Sequence, residues 1–142
     1  ERRRQGIGQE EVAFLAADRA DLPALIRLAD FSVVFIRADI SKAGCSPTKL
    51  AELFACGIPV IANAGVGDLD EIISLERNGS VVVPDFSDES LRGAVDAVLR
   101  TRSEGTPDIR GNSEEFTLEE GVARYSEVYR ALLGGTQERT PC

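Results

Sequence analysis

The sequence predicts an α/β fold in three layers, with helices on both faces of a mainly parallel sheet. Three observations carry that reading. Four β-rich or apolar stretches, Glu11–Ala17, Phe31–Arg37, Ile58–Ile61 and Ser80–Val83, alternate with stretches of helical period, which is the order of βαβ units. Phe31 to Arg37 (FSVVFIR) is almost unbroken apolar, as a strand covered on both faces must be. Leu91, Ala94, Val95, Val98 and Leu99 fall at 0, +3, +4, +7 and +8, the spacing of one helical face turned towards a core.

Taken in order, residues 1–10 are polar. Gly6, Ile7 and Gly8 are too short a run for a dinucleotide fingerprint without a strand before them, so this stretch reads as a loop. Residues 11–100 hold the βα units. Glu11 to Ala17 (EVAFLAA) is a strand of modest propensity. Asp21 then caps a short helix with Pro23 in its first turn and Leu22, Leu25, Ile26 and Ala29 on one face. After the apolar strand comes a loop, Ala38 to Cys45, at a strand's C-terminal edge, where ligands of open α/β sheets bind. Asp39, Ser41 and Lys42 lie in it and read first as ordinary loop polarity.

Asp68 and Glu71 have capping-box spacing and open a helix with Leu69, Ile72 and Ile73 inward. Before them, Gly65 and Gly67 would let the backbone approach a phosphate or sugar closely. Pro84 ends the last strand and Ser87 caps the long helix that follows. A polar surface connection is expected over 101–112, with Gly105, Pro107 and Gly111. Thr117 and Glu120 then cap a C-terminal helix within 113–134, with Leu118, Val122, Tyr125, Tyr129 and Leu132 inward, stopped by Gly134 and Gly135. Residues 135–142 are a loose tail.

The stretch Ser46 to Asn63 (SPTKLAELFACGIPVIAN) organises the rest. Ser46 suits an N-cap, and Pro47 the first helical position, where its missing N–H costs nothing. Leu50, Leu53 and Phe54 form the apolar stripe. Thr48, Lys49 and Glu52 lie off it and near one another, at i, i+3 and i, i+4 spacings. Gly57 ends the helix as a left-handed cap, and a buried strand follows. A helix N-terminus carries about +0.5 of an elementary charge with unpaired N–H groups, which favours a phosphate. Glu52 lies about one turn, roughly 5 Å, further along. A carboxylate there can accept from two vicinal ribose hydroxyls, while Lys49 offsets its repulsion with the phosphates. On spacing alone, a Lys and a Glu three residues apart also read as a solvated surface pair.

Glu52-Leu53-Phe54-Ala55-Cys56-Gly57-Ile58-Pro59-Val60-Ile61 resembles the later part of a Glu-x7-Glu pattern that runs into Ala-x-Gly-x-Pro-Val-Ile. That pattern marks the nucleotide-sugar-binding domain of group 1 glycosyltransferases with the GT-B fold. Ser46-Pro47-Thr48-Lys49 resembles the variant found in many polysaccharide-synthesising members. The likeness runs from about Glu11 to Leu133 and is specific between Ser46 and Asp68. It implies a Rossmann-like sheet that is the incomplete C-terminal half-domain of a GT-B fold, preceded in that fold by two further βα units and an acceptor-binding domain. By the same likeness Glu52 binds the ribose hydroxyls and Thr48 with its neighbours meets the diphosphate. Gly44 stands where the pattern's first glutamate would and is counted with the site, beside Ser46, Pro47, Thr48, Lys49 and Glu52.

Composition sets bounds on partners. With 43% hydrophobic and 28% charged residues, the chain is that of a globular domain. Its net charge of −8 excludes a nucleic-acid surface, which needs clustered Lys and Arg; Arg2-Arg3-Arg4 reads as a solvated end. Three cysteines without a CxxC, and no histidine, indicate neither a zinc site nor a disulfide framework, so a reduced, cytoplasmic setting and no metal are expected. No apolar run approaches the roughly 20 residues of a membrane span. The chain has no methionine and opens on Glu1, so a processed chain or a fragment is expected, with a sheet edge available for self-association.

The function implied by the resemblance is the donor half of a glycosyltransferase. It would move a sugar from a nucleotide diphosphate, its donor substrate and not a cofactor, to a polysaccharide or lipid-linked acceptor held by the preceding domain. That allows peripheral membrane association at the inner face. No catalytic base can be named, and the fragment alone is expected to be inactive. Two rivals remain: a nucleotide-sugar epimerase of the same architecture, and a non-enzymatic flavodoxin-like or receiver-like interaction module.

Overall fold

The sheet is built around one strand. In a computed structural model, which describes residues 8, 11–42, 44–46, 48–105 and 107–134, β2 (Val60–Asn63) is buried along its whole length. β1 (Ser32–Val34) and β3 (Val81–Val83) flank it, both parallel to it. The register pairs Val33 with Ile61 on one side and Ala62 with Val82 on the other. Because side chains alternate along a strand, Val60 and Ala62 face one way and Ile61 the other, and each face acquires its own helical layer.

The first layer is α2 (Lys49–Ala55), α3 (Leu69–Ile72) and α1 (Leu22–Ile26). Leu50, Leu53 and Phe54 of α2 join Val60, Ala62, Val66, Leu69 and Ile73 in one buried cluster. Phe54, 1% exposed, contributes about 1.5–3 kcal/mol by burial of its ring alone. The second layer is α5 (Asp88–Gly105), whose Ala94 and Val98 pack on Ile61 and Val83. Helices on both faces of a parallel sheet make the three-layer, Rossmann-like α/β arrangement expected from the alternation.

Gly57 ends α2 as the sequence indicated. At φ 77° it is in the left-handed region, its N–H donates to Phe54 O at 2.8 Å, and Ile58 N–H donates to Leu53 O at 3.0 Å. Those two bonds form a Schellman cap that turns the chain straight into β2.

Several expectations need correction. Residues 11–17 form no strand: Phe14 and Leu15 are 85% and 71% exposed. A strand is a pairing property, and a local run of β-formers does not by itself make one. Asp21 holds the N-cap position of α1 without a side-chain capping bond. α2 starts at Lys49 with Thr48 as N-cap, not at Ser46, and no side chain caps it.

One helix was expected between β2 and β3, but there are two, because Ile73 and Ser74 are extended and the Ser74 hydroxyl accepts from Arg77 N–H to start α4 (Leu75–Asn78). Asp68 makes no capping bond to α3. The connection expected at 101–112 begins later, since α5 continues through Thr101 to Gly105; a 3-10 turn, Gly111–Phe116, completes it. α6 (Leu118–Gly134) is present and Thr117 Oγ1 accepts from Glu120 N–H at 3.3 Å. Its expected inward residues are nonetheless in water: Leu118, Val122, Tyr125, Tyr129 and Leu132 are 57–78% exposed. Of the expected N-terminal loop only Gly8 is described, and the tail from 135 on lies outside the described residues.

Candidate donor site

Two loops leave the sheet at its C-terminal edge, one after β1 and one after β2, and they meet where Gly67 approaches Cys45. The first runs from Phe35 to Thr48 and feeds α2. It is fastened at its root by Asn63, the last residue of β2, which is 4% exposed. Asn63 Oδ1 accepts from Ile36 N–H at 2.8 Å, and its Nδ2 donates to Ile36 O at 2.9 Å and to Ala64 O at 3.0 Å. The far end of the same loop rests on Gly67. A side chain there would place its Cβ 1.9 Å from Cys45 O, so only a glycine allows this approach, and its φ of 52° suits one as well.

Behind those contacts the start of α2 is open. Thr48, Lys49 and Glu52 are exposed, as are Gly44 and Ser46; Pro47 lies outside the described residues. A Cβ added at Gly44 would meet nothing within 4 Å. Glu52 belongs to the first turn of α2, nearer the helix N-terminus than the sequence placed it. Among the described residues, the side chains of Lys49 and Glu52 make no hydrogen bond or ion pair. Both charges are therefore uncommitted, unlike the solvated pair that their spacing also allowed.

Two clefts lie near these residues. A cleft of about 310 Å³ between α1 and α2 is lined by Arg19, Leu22, Pro23, Ile26, Glu52 and Ala55 among others. A second, polar cleft of about 470 Å³ is lined by Ser46, Asp68, Glu71, Arg77, Glu115 and Arg124 among others. In the second, Arg77 is held by Glu115 at 2.8 Å and Arg124 by Glu120 at 2.8 Å, whereas Asp68 Oδ1 is buried without a hydrogen-bond partner among the described residues. Leaving a buried acceptor unpaired costs on the order of 1–3 kcal/mol. Among the described residues no group of three acidic, Cys or His side chains is placed to hold a metal ion.

The sequence placed Lys49 and Glu52 on the side of their helix away from the apolar stripe, and both are exposed, as are Gly44, Ser46 and Thr48, with Ser46 lining the cleft beside Asp68 and Glu52 the cleft beside α1. It missed Asn63, although a polar residue ending the buried run Pro59-Val60-Ile61-Ala62 was a signal, since a buried amide must find partners. It also missed Arg19, which had no pattern to mark it. Asp39 and Ser41, read as loop polarity, form a local turn in which Ser41 N–H donates to Asp39 Oδ1 at 2.7 Å. No described helix is long and apolar enough to cross a membrane.

No curated protein and no solved structure matches this chain. A family model does: the one described as "Glycosyl transferases group 1" matches residues 1–101, a span that takes in both loops, α2 and most of α5. With that match over most of its length, the chain belongs to the group 1 glycosyltransferases, and its role lies in glycosyl transfer.

Proposed function

We propose that this chain binds the nucleoside diphosphate sugar from which a glycosyltransferase takes its sugar. The observation that carries the reading is Glu52: a carboxylate in the first turn of an uncapped helix, exposed and free of any protein partner among the described residues. The ribose hydroxyls donate to that carboxylate, and the nucleoside lies along the apolar floor of Leu22, Pro23 and Ile26 beside it. The diphosphate crosses the start of α2, where Lys49 and the N–H groups near Thr48 meet it. α2 has only 7 residues, so its dipole is small and Lys49 supplies more of the positive field. The sugar then lies towards Ser46 and Gly44.

In the transfer, the bond between the sugar's anomeric carbon and the diphosphate oxygen breaks. The acceptor's hydroxyl oxygen takes its place, and the hydroxyl proton leaves to a base that this chain does not identify. Charge builds on the departing diphosphate, and Lys49 and the backbone N–H groups stabilise it there without rearranging. No resident cofactor enters the scheme. The acceptor, a polysaccharide or lipid-linked glycan, is held by the acceptor-binding part of the fold, and nucleotide sugars place the reaction in the cytoplasm, at the inner membrane face for a lipid-linked acceptor.

Product analysis tests the activity. The full protein is incubated with a panel of labelled nucleotide sugars, with and without a glycan or polyprenyl-linked acceptor. Label passing to the acceptor only when it is present is the expected result. An epimerised donor formed with no acceptor would favour the epimerase, and no nucleotide protection of the helix at Thr48 would favour an interaction module.

A further inference from the structure

The backbone pairing of β1 with β2 stops at Val34 and Ala62, yet the chain beyond β1 does not swing free. Ile36 is gripped by one side chain, the Asn63 amide, which offers one acceptor to its N–H and one donor to its C=O. A carboxamide has the donor and acceptor of a peptide unit, so Asn63 prolongs the sheet's pairing beyond its last backbone rung. Ten residues of loop and turn further on, the same segment is stopped by Gly67, whose Cα hydrogen faces Cys45 O with no room for a methyl group. Between these points lie the exposed Asp39 and Ser41, and directly after the second lie Ser46, Thr48 and Lys49. Neither Asn63 nor Gly67 needs to touch a ligand to set where those groups stand.

We propose that Asn63 and Gly67 form a two-point clamp on the loop after β1 and are positioning residues for the donor site, an inference that rests on the reading of Glu52 and Lys49 given above. The two clamp points are the last residue of β2 and the turn just after it, so one short segment fixes the start of α2 against the sheet. Asn is required at the first point because an acid of the same shape supplies only acceptors. Asp at 63 would set a carboxylate against Ile36 O and leave that carbonyl without its donor. Gly is required at the second because any Cβ would push Cys45, and with it Ser46 and Thr48, outwards.

The test measures affinity and stability together, on the full protein, by calorimetric titration with uridine diphosphate and guanosine diphosphate and by thermal denaturation. The variants are Asn63→Asp, Gly67→Ala, Glu52→Ala and Val98→Ala, the last a core change beneath α5, remote from the loop. Loss of a group-positioning hydrogen bond should weaken binding by about tenfold in Asn63→Asp and Gly67→Ala. Val98→Ala, with a comparable fall in Tm, should bind as the wild type does, which separates positioning from general destabilisation. Should Asn63→Asp not fold, Asn63→Ser takes its place and the same weakening is expected. Affinities within twofold of wild type in the clamp variants, while Glu52→Ala is weakened, would overturn the clamp alone. If Glu52→Ala also binds as wild type does, or neither nucleotide binds the wild type, the donor-site reading fails and the clamp with it.

Discussion

α5 and α6 carry amphipathic signals of similar clarity and have different fates. α5, 18 residues long, lays Ala94 and Val98 on Ile61 and Val83. It is also tied down near its end, where Arg102 donates to Asp30 O at 2.9 Å and pairs with Asp30 Oδ1 at 3.1 Å. α6, 17 residues long, presents Leu118, Val122, Tyr125, Tyr129 and Leu132 on one face, and all of them are exposed. Its described contacts are chiefly with the 3-10 turn before it. An amphipathic pattern therefore states that a face requires cover but not what supplies it. For α5 the sheet is within reach in the same chain; the apolar face of α6 is left exposed.

The contrast can be broken most forcefully from the α5 side. Val98→Asp places a carboxylate in the buried layer between α5 and the sheet and should lower stability by about 3–5 kcal/mol in urea or guanidinium unfolding. A loss under about 1 kcal/mol would mean that the α5 layer is not packed as described. Arg102→Ala removes only an exposed pair and one bond to a backbone carbonyl. It should cost no more than about 1 kcal/mol, and less at high salt.

Acid should loosen the start of α5 late. Asp85 accepts from the Ser87 hydroxyl and the Ser87 N–H, bonds that hold its pKa below the ordinary carboxylate value. A folded pKa below the unfolded one means that this support is fully present above the unfolded value and is lost as pH falls through the folded one. A carboxyl NMR titration should therefore find Asp85 ionised after most exposed carboxylates have gained protons, and Ser87→Ala should return it towards them. The smallest effect belongs to α6: Tyr125→Ser, at a side chain 72% exposed, should change stability by less than about 0.5 kcal/mol. A loss as large as that of a core substitution would show that α6 is covered in solution.

The same distinction explains what the sequence disclosed. β2, α2 and α5 were legible because their signals are local: a Cys56-Gly57 stop with a Schellman cap, an unbroken buried run, and a 3.6-residue stripe. The strand expected at 11–17 and the cover expected for α6 depend on partners, and a period says nothing of those. The division of one expected helix into α3 and α4 turned on Ser74, whose hydroxyl outcompetes helix continuation by capping a new start. The exposure of Lys49 and Glu52 was legible from their place off the apolar stripe. The hold on their loop was not, because Asn63 and Ile36 are 27 residues apart and only the fold makes them neighbours.

In the proposed donor site, Glu52 is the group that accepts the ribose hydroxyls. Isothermal titration of the full protein with nucleoside diphosphates, wild type against Glu52→Ala, tests it most directly, with the 2′,3′-dideoxyribose analogue of the diphosphate that binds as a second ligand. Wild type should prefer the ribose form by about tenfold or more, and Glu52→Ala should bind both forms equally weakly. Equal affinity of wild type and Glu52→Ala for the ribose form would contradict the assignment.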